Sequence, residues 1–478
     1  MKLFTLLLLI LFSVSTLSRA ETPNIVLVMS DDQGWGQVGY MGHSRLKTPN
    51  LDEMAKNGLR FDRFYAGASN CSPSRATVLT GRSNDRTGVQ NHGFPLRLQE
   101  KTVAQALADA GYATGHFGKW HLNGLRGPGV PILGEDTHSP GAFGFQHWLS
   151  VTNFFDRNPI LSRGGEFEEF AGDSSEVVID EALKFIREKS AADQAVFAVV
   201  WYGTPHDPMV ASEEDKAPFA DLPEVYANQL GELVAMDRSI GTLRKGLRDI
   251  GIADNTLFWF CSDNGGLPKF PVETVGGLRG SKNTMYEGGL RVPGIIEWPA
   301  KIKEGRQTSF PAGTVDMFPT IAEVVGLPDS SMLQPQDGIS LVPLIKGEVE
   351  EDRPTPLRFR HDGRGVLINN NLKYLTLKGE EMLFDLVADP DESEDLSNSK
   401  PKIFAKMKSE YEAWNTTVES SVAGKDYPEG KVDPNQPERR FWTDEEVYKP
   451  YFEEWKDRPE YSSRLKPASA KKKKKAKK

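Results

Sequence analysis

The sequence predicts an α/β fold whose central strands are covered on both faces. Three continuous apolar runs, at residues 24–30, 196–202 and 256–261, have the length and composition of strands. A strand with one face in solvent alternates apolar and polar residues, and these runs do not, which is typical of strands buried between two layers. Amphipathic stretches at residues 175–189 and 223–250 are predicted helices. Ligands of open α/β sheets bind beyond the carboxyl ends of strands, so the residues that follow these runs are the first candidates for a site.

The first twenty residues have the organisation of a signal peptide. Lys2 precedes an apolar run over residues 3–17, and Ser18-Arg19-Ala20 ends in a small residue suited to cleavage. The run is short for a bilayer span and no later segment is long enough, so we expect a mature chain that starts near Glu21 without stable membrane insertion. We expect it to be exported, to the periplasm or the medium in a bacterium or to the lysosome in a eukaryote.

Composition excludes a general nucleic-acid-binding function. The net charge is −9 and the isoelectric point is about 5.6, whereas a polyanionic partner requires a basic surface. The lysine-rich run at residues 471–478 is the exception. It follows a Pro/Ala/Ser stretch and is typical of a disordered tail.

Two pairs of oxygen-bearing side chains directly follow predicted strands. Asp31 and Asp32 follow the first apolar run, and Asp263 and Asn264 follow the run at residues 256–261. Together they could form one site for a hard cation, because oxygen ligands without histidine favour calcium or magnesium over zinc. Taken alone, Asp31 and Asp32 fit an acidic turn equally well.

A predicted helix start carries Cys71. Pro73 suits the first turn of a helix, so we expect helix from Ser74 onward, with Cys71 at its positive end. Unpaired N–H groups there and the guanidinium of Arg75 can hold a tetrahedral oxyanion. The alternative is a disulfide with Cys261, which secreted proteins favour.

Three further residues are candidates for proton or charge transfer. Lys119 and His121 alternate just past a predicted strand and can face one side of the sheet edge. His206 follows the strand at residues 196–202 and is held near two prolines, which suits a proton-transferring group. The alternatives are a solvated surface pair for Lys119 and His121, and an ordinary turn residue for His206.

Several motifs resemble the signatures of the type I sulfatases. Residues 70–82 contain Cys-x-Pro-Ser-Arg followed by Thr-Gly-Arg, residues 111–121 contain Gly-Tyr-x-Thr and end in Gly-Lys-x-His, and residues 278–293 contain Gly-x-Lys followed by Glu-Gly-Gly-x-Arg-Val-Pro. The resemblance runs from Asn24 to about Ala300 and continues more weakly to about residue 390. Asn70 and Asn123 depart from the usual residues of the pattern, and neither replaces a group with a chemical role.

The resemblance implies a fold and a domain organisation. The fold is a large α/β domain with a mixed central sheet flanked by helices, like that of alkaline phosphatases, with a smaller C-terminal α+β subdomain that contains a short antiparallel sheet. We expect the signal peptide at residues 1–20, the catalytic domain at 21–352, the C-terminal subdomain and an extension at 353–465, and the basic tail at 466–478.

The resemblance also implies a reaction, the hydrolysis of a sulfate ester. In this family the cysteine is converted to formylglycine by a maturation enzyme, and here that residue is Cys71. A hydroxyl of the hydrated aldehyde attacks sulfur to give a covalent sulfate ester. Arg75, Lys119 and Lys282 neutralise charge on the sulfate. His206, with Lys282 nearby, protonates the leaving alcohol, and His121 takes the proton that releases sulfate. The implied cation is Ca²⁺, or Mg²⁺, with Asp31, Asp32, residue 71, Asp263 and Asn264 as ligands.

The substrate is predicted less directly. Export favours a sulfated carbohydrate, and a site at the bottom of a crevice favours removal of sulfate from a terminal sugar. We expect substrate contacts from residues 122–172, which include His138, His147 and Trp148, and from His361 and Arg364. Alternatives are a formylglycine-dependent phosphodiesterase or phosphonate hydrolase, or a sulfated-glycan-binding protein if Cys71 stays unmodified.

Overall fold

A computed structural model describes residues 22–348 and 352–465 of the chain. The predicted signal peptide and the predicted tail at residues 466–478 lie outside the described residues. Among the described residues, no helix combines the length and the apolar character needed to cross a membrane.

The strands of the described residues are β1 (Asn24–Ser30), β2 (Leu59–Tyr65), β3 (Ala113–Lys119), β4 (Leu125–Arg126), β5 (His147–Val151), β6 (Ile160–Arg163), β7 (Glu166–Glu169), β8 (Val196–Trp201), β9 (Thr256–Ser262), β10 (Arg291–Glu297), β11 (Arg306–Thr308), β12 (Ala312–Gly313), β13 (Leu357–His361), β14 (Arg364–Asn369), β15 (Leu372–Leu377), β16 (Glu380–Asp385) and β17 (Arg440–Phe441).

The α-helices of the described residues are α1 (Pro49–Asn57), α2 (Cys71–Thr80), α3 (Val103–Asp109), α4 (Ser174–Ala191), α5 (Glu213–Lys216), α6 (Glu224–Ile250), α7 (Glu287–Leu290), α8 (Met317–Val325), α9 (Val342–Lys346), α10 (Pro401–Val422), α11 (Phe452–Trp455) and α12 (Pro459–Leu465).

The predicted α/β fold with a large mixed sheet is confirmed. Eleven strands form one sheet in the order β11-β2-β10-β9-β1-β8-β3-β5-β6-β7, with β12 also paired to β2. The centre of the sheet, β9-β1-β8-β3-β5, is parallel, whereas β10 is antiparallel to both of its neighbours. The carboxyl ends of the central parallel strands therefore meet at one edge of the sheet.

Hydrophobic cores cover both faces of this sheet, which explains the apolar runs in the sequence. In β1, Ile25, Leu27 and Met29 join the core that includes α2, α3 and α8, while Val26 and Val28 join the core that includes α4 and α6. A strand with a core on each side has no solvent-facing residues, so its sequence shows no alternation.

The C-terminal part contains a second sheet and an extension. Strands β13 to β16 form a four-stranded antiparallel sheet. One face packs against Tyr65 and Leu290 of the large domain, and α10 covers the other. Beyond α10 the chain returns to the large domain, where β17 pairs in parallel with β4.

Candidate active site

The two predicted pairs of oxygen ligands meet at the edge of the large sheet. Strands β1 and β9 are parallel neighbours in register, so the residues that follow them lie side by side. The backbone N–H of Asp32 donates to Asp263 Oδ1 at 3.1 Å, and Asn264 Nδ2 donates to Asp32 Oδ1 at 2.8 Å. All four side chains of Asp31, Asp32, Asp263 and Asn264 are buried. Asp32 adopts a φ of 67°, a left-handed conformation that is uncommon outside glycine and often occurs at functional sites.

Cys71 is the first residue of α2 and faces this cluster. Its Sγ lies 3.4 Å from Asp31 Oδ1 and 3.9 Å from Asp32 Oδ1. Burial, and then the charges of Asp263 and Asp31, raise the pKa of the thiol well above its usual value. A thiol that stays protonated is a weak nucleophile. Cys71 and Cys261 are both free, so the disulfide alternative is wrong.

Three cations close the cluster, each paired with a carboxylate. Lys119 Nζ lies 2.5 Å from Asp31 Oδ2, Arg75 Nη2 lies 2.6 Å from Asp263 Oδ2, and Lys282 Nζ donates to Asp32 Oδ2 at 2.7 Å. Arg75 also donates to the carbonyl of Lys119 and lies over the ring of Trp201. We call this cluster of carboxylates, its amide and cysteine neighbours and its three cations the pocket floor: Asp31, Asp32, Cys71, Arg75, Lys119, Asp263, Asn264 and Lys282.

The carboxyl groups of the pocket floor differ in their protonation behaviour. Although burial opposes ionisation of Asp32, the charges of Lys282, His206 and Lys119 hold its pKa below its usual range. For Asp263, burial and the charge of Asp31 together outweigh Arg75 and raise the pKa to about 6. Bringing several carboxylates together raises the free energy of the site, and a bound cation would relieve that repulsion.

The donor set of the pocket floor fits a hard cation. One ligand atom from each of Asp31, Asp32, Cys71 and Asp263 lies within 4.8 Å of the others. The Oδ1 atom of Asn264 is buried and accepts no hydrogen bond from any described residue, although its own Nδ2 is satisfied. An oxygen left without a partner next to three carboxylates is typical of a ligand for Ca²⁺ or Mg²⁺.

Two histidines flank the pocket floor. His206 Nε2 lies 3.6 Å from Asp32 Oδ2, its Nδ1 lies 2.7 Å from the carbonyl of Asp207, and Phe154 stacks on its ring at 4.6 Å. Burial, and then the charge of Lys282, lower the pKa of His206 to about 4. His121 is buried with neither ring nitrogen hydrogen-bonded, and burial followed by the charge of Lys119 lowers its pKa. A polar ring held without partners is available for a ligand.

The pocket floor and the histidines open into a cavity of about 380 Å³. Of the residues predicted for catalysis, Cys71, His121, His206 and Lys282 line it. Other lining residues come from separate parts of the chain. Arg126, Gly127, Pro128, Asn153 and Phe154 belong to the predicted region 122–172, whereas sequence reasoning did not predict contacts from Asn70, His92, Asn283, Phe441 and Arg464.

Of the side chains named for substrate contact, His138, His147 and Trp148 do not line this cavity. His138 is buried and faces Gln436, His147 is exposed and contacts Phe185, and Trp148 belongs to the hydrophobic core. Residues 122–172 do reach the cavity, but through other side chains, because histidine and tryptophan in this region meet the packing needs of the fold. His361 and Arg364 contact Asn70 and Asn283 behind the cavity.

Comparisons by sequence identify a family, and comparisons of structure identify a shared fold. Residues 23–327 match the family model described as "Sulfatase". N-acetylgalactosamine-6-sulfatase of Canis lupus familiaris is 33% identical over 385 residues, which cover 73% of this chain and 71% of that protein. Arylsulfatase A of Homo sapiens is 30% identical over 464 residues, which cover 84% and 89%. The crystal structure of Ps i-CgsB in complex with k-i-k-neocarrahexaose matches with a TM-score of 0.75 at 24% identity, over 93% of this chain and 100% of that one.

Proposed function

Because this chain belongs to the sulfatase family and is a sulfuric ester hydrolase, we propose that it removes sulfate from a carbohydrate, using a formylglycine at position 71 and a divalent cation. The observation that carries the proposal is the position of Cys71. Its side chain lies at the start of a helix, within 4 Å of two carboxylates at the ends of a buried sheet. A group made from this side chain is next to a site for a cation and next to cations for an anionic substrate.

The pocket floor supplies the charges that sulfate transfer requires. A formylglycine at position 71 would provide the hydroxyl nucleophile, and a cation held by Asp31, Asp32, Asp263 and Asn264 would withdraw charge from the sulfate. Lys119 and Lys282 hold fixed positive charges beside these ligands, and charges fixed before reaction usually make the largest contribution to catalysis. Arg75 forms an ion pair with Asp263 and lies over the ring of Trp201, so it positions the Asp263 carboxylate.

The histidines supply the proton transfers. His206 has its Nδ1 at the Asp207 carbonyl, which directs Nε2 toward Asp32 and the cavity. A pKa of about 4 leaves the His206 ring neutral near pH 7 before substrate binds, so donation to the leaving alcohol requires that the ring take up a proton when the anionic substrate binds, or that Lys282 nearby supply it. His121 is unpartnered and neutral, which suits the removal of a proton when sulfate is released.

A carbohydrate substrate is supported by the relatives and by the shape of the site. One relative is named for a sulfated sugar, N-acetylgalactosamine 6-sulfate. Aromatic rings of Phe154 and Phe441 line the cavity beside charged groups, and sugars bind to such mixed surfaces. The reacting groups lie at the closed end of the cavity, so we propose action on a terminal sugar. Export and a host maturation enzyme are parts of the same proposal.

The test has two parts. Peptide mass spectrometry across residue 71, on protein from the native host, should show formylglycine in place of cysteine. That protein should then hydrolyse an aryl sulfate faster than the matching aryl phosphate. An unmodified thiol would contradict the proposed chemistry, and faster phosphate cleavage would favour a phosphatase or phosphodiesterase function.

A separate test decides whether the enzyme acts on terminal or on internal sugars. On sulfated mono-, oligo- and polysaccharides, sulfate should be released from terminal sugars and not from the interior of an intact polymer. Equal release from internal residues and chain ends would contradict exo action. Activity confined to aryl or steroid sulfates would contradict a carbohydrate substrate.

A further inference from the structure

The C-terminal extension forms part of the cavity wall, although it lies beyond the residues that match the family model. Strand β17 pairs with β4, which aligns Phe441 with Arg126. Tyr448 donates a hydrogen bond to the Pro131 carbonyl at 2.9 Å, and Tyr461 donates one to the Gly129 carbonyl at 2.7 Å. The extension is thereby fixed to the loop that contributes Arg126 to the cavity.

A buried aromatic cluster holds the extension in place. Trp442, Tyr448, Trp455 and Tyr461 pack together with Leu125 and other apolar residues of the large domain. Burial of these four large aromatic side chains stabilises the contact. The extension is therefore a structural part of the pocket.

The extension and β4 place two guanidinium groups over one ring. The guanidinium carbons of Arg126 and Arg464 lie 4.5 and 4.2 Å from the ring centre of Phe441. We call Arg126, Phe441 and Arg464, which all line the cavity, the pocket wall. The Nε atom of Arg126 is buried and has no hydrogen-bond partner.

The arginines of the pocket wall differ from Arg440 and Arg458 of the same extension. Among the ion pairs between described residues, none joins a carboxylate to Arg126 or Arg464. Arg440 and Arg458, on the same extension, pair with Glu445 and Glu460. Two cations held together without a counterion repel each other, and a bound anion would remove that repulsion.

The charge of Arg126 also affects another side chain of the cavity. The pKa of His92, which lines the cavity, is lowered to about 4, first by burial and then by the charges of Arg126 and Arg439. In the pocket floor, by contrast, every cation has an aspartate. The charge of Arg126 therefore acts on groups that line the cavity.

We propose that Arg126 and Arg464, positioned by Phe441, form a second anion-binding subsite that recognises another negatively charged group of the substrate, a sulfate or a carboxylate. The inference rests on the proposed function, because the first sulfate occupies the pocket floor. The subsite selects for sugars with at least two anionic groups. The C-terminal extension is thus a specificity-determining element.

The first experiment measures binding, so that it does not depend on turnover. In a Cys71→Ala background, calorimetry compares N-acetylgalactosamine 6-sulfate with its 4,6-disulfate and with a uronic-acid disaccharide that carries one 6-sulfate. We expect a dianionic sugar to bind about tenfold more tightly or better, the effect of a charge-assisted hydrogen bond. The Arg126→Gln/Arg464→Gln variant should lose that preference. Which dianionic sugar is preferred identifies the second group as sulfate or carboxylate.

The control removes the same charge from the same extension. Lys449 and Lys456 are exposed, pair with Glu446 and Glu453, and do not line the cavity. Lys449→Gln/Lys456→Gln should keep the preference. No preference in the parent protein, or an unchanged preference in the arginine variant, would overturn the proposal.

The second experiment measures turnover. In formylglycine-containing protein, Arg126→Gln/Arg464→Gln should lower kcat/KM for the dianionic sugar about tenfold, mainly through KM, and leave an aryl sulfate nearly unaffected. Equal loss on both substrates would indicate a structural role and overturn the proposal. If the parent protein hydrolyses no sulfate ester, the proposed function fails, and the binding experiment still decides the subsite.

Discussion

The pocket floor and the pocket wall use the same kind of side chain in opposite electrostatic settings. In the floor, Lys119, Lys282 and Arg75 each lie within 2.7 Å of an aspartate oxygen. In the wall, Arg126 and Arg464 have an aromatic ring and no ion-pair partner in the described chain. Paired charges hold a fixed geometry before a ligand binds, whereas unpaired charges are stabilised most by a ligand of opposite charge. We infer that the floor provides the chemistry and the wall selects the substrate.

The largest expected effect is the loss of the side chain at position 71 of the floor. Cys71→Ala should reduce turnover by at least about 10⁴-fold, because removal of a nucleophile leaves only binding and charge stabilisation. The fold should survive, because alanine lacks only the Sγ atom of this buried cysteine and fits the same position. Turnover of a sulfate ester and the circular dichroism spectrum measure the two outcomes.

Cys261 supplies the matched control for this prediction. It is equally buried, and it lies on β9, two residues before Asp263. Cys261→Ala should cost about 1 kcal/mol of stability and keep turnover. Normal turnover in Cys71→Ala would remove the basis for assigning the chemistry to the floor.

The second effect separates proton transfer from substrate positioning. His206→Ala should lower kcat/KM for a sugar sulfate by about 10²–10⁴-fold, the usual contribution of a general acid. For a nitrophenyl sulfate the loss should be much smaller, because nitrophenolate leaves without protonation. Kinetics on both substrates measure the difference.

Phe154→Leu is the control for His206. It removes the ring that stacks on the imidazole and keeps the imidazole itself. We expect a modest loss that is similar for both substrates, as for a group that only positions its neighbour. An equal loss on both substrates in His206→Ala would argue against its role as the acid.

The third effect concerns the cation of the floor and is measured without turnover. Chelation should lower the melting temperature, and added Ca²⁺ should restore it. At a free Ca²⁺ concentration of a hundred times the dissociation constant, the bound cation should add about 2.7 kcal/mol to the free energy of unfolding. Zinc should fail to replace calcium. Asn264→Leu should reduce the shift, because it removes an oxygen that has no other partner.

Asn153→Leu is the corresponding change outside the floor. Asn153 is also buried, lines the cavity and has an unpartnered Oδ1, but it lies beside Gly127 and not among the aspartates. The rise in melting temperature that Ca²⁺ produces in this variant should equal that in the wild type. A calcium shift in Asn264→Leu equal to that of the wild type would show that the cation binds elsewhere.

Most of the floor could be predicted from local patterns in the sequence, and Lys282 from the resemblance to the sulfatases. Asp31 and Asp263 come directly after apolar runs, and the parallel pairing of β1 with β9 brings such strand ends together. The start of α2 was predicted at Ser74 and lies at Cys71. Proline is tolerated throughout the first turn, where N–H groups have no helical partner, so Pro73 did not fix the first residue.

The wall could not be predicted, because no local pattern joins its parts. Arg126 and Phe441 meet through a two-residue strand pairing between distant segments, and such a pair has no periodic signal. The histidine and tryptophan chosen instead, His138 and Trp148, are buried in the domain. Residue type indicated sugar binding, but only the packing of the C-terminal extension decides which side chains reach the cavity.

The smallest expected effect concerns a pair of carboxyl groups that connects the loop of Phe154 with the segment of His206. Asp156 lies two residues after Phe154, and Glu232 of α6 accepts a hydrogen bond from the N–H of Val210, four residues after His206. The two carboxyl groups face each other. Burial raises the pKa of Asp156 to about 7, and burial followed by the charge of Asp156 raises the pKa of Glu232.

These raised pKa values set the sign of a pH dependence. The folded chain binds more protons than the unfolded chain between about pH 4 and pH 7, so the free energy of unfolding should fall as pH rises across that window, by at most about 1.4 kcal/mol per pH unit for each group. Glu232→Gln keeps the acceptor for Val210 and can donate to Asp156, so the dependence should become shallower. Denaturant unfolding at several pH values measures it.

The consequence for activity distinguishes this pair from other buried acids. Asp85 also has a pKa raised to about 7 by burial, but it pairs with Arg360 and does not line the cavity. Asp85→Asn should therefore change the pH dependence of stability and leave KM unchanged. Glu232→Gln should change both, because the loop of Phe154 and the segment of His206 are joined through it. If KM responds to neither variant, the loop of Phe154 and the segment of His206 are positioned without help from the pair, and the pair has only a structural role.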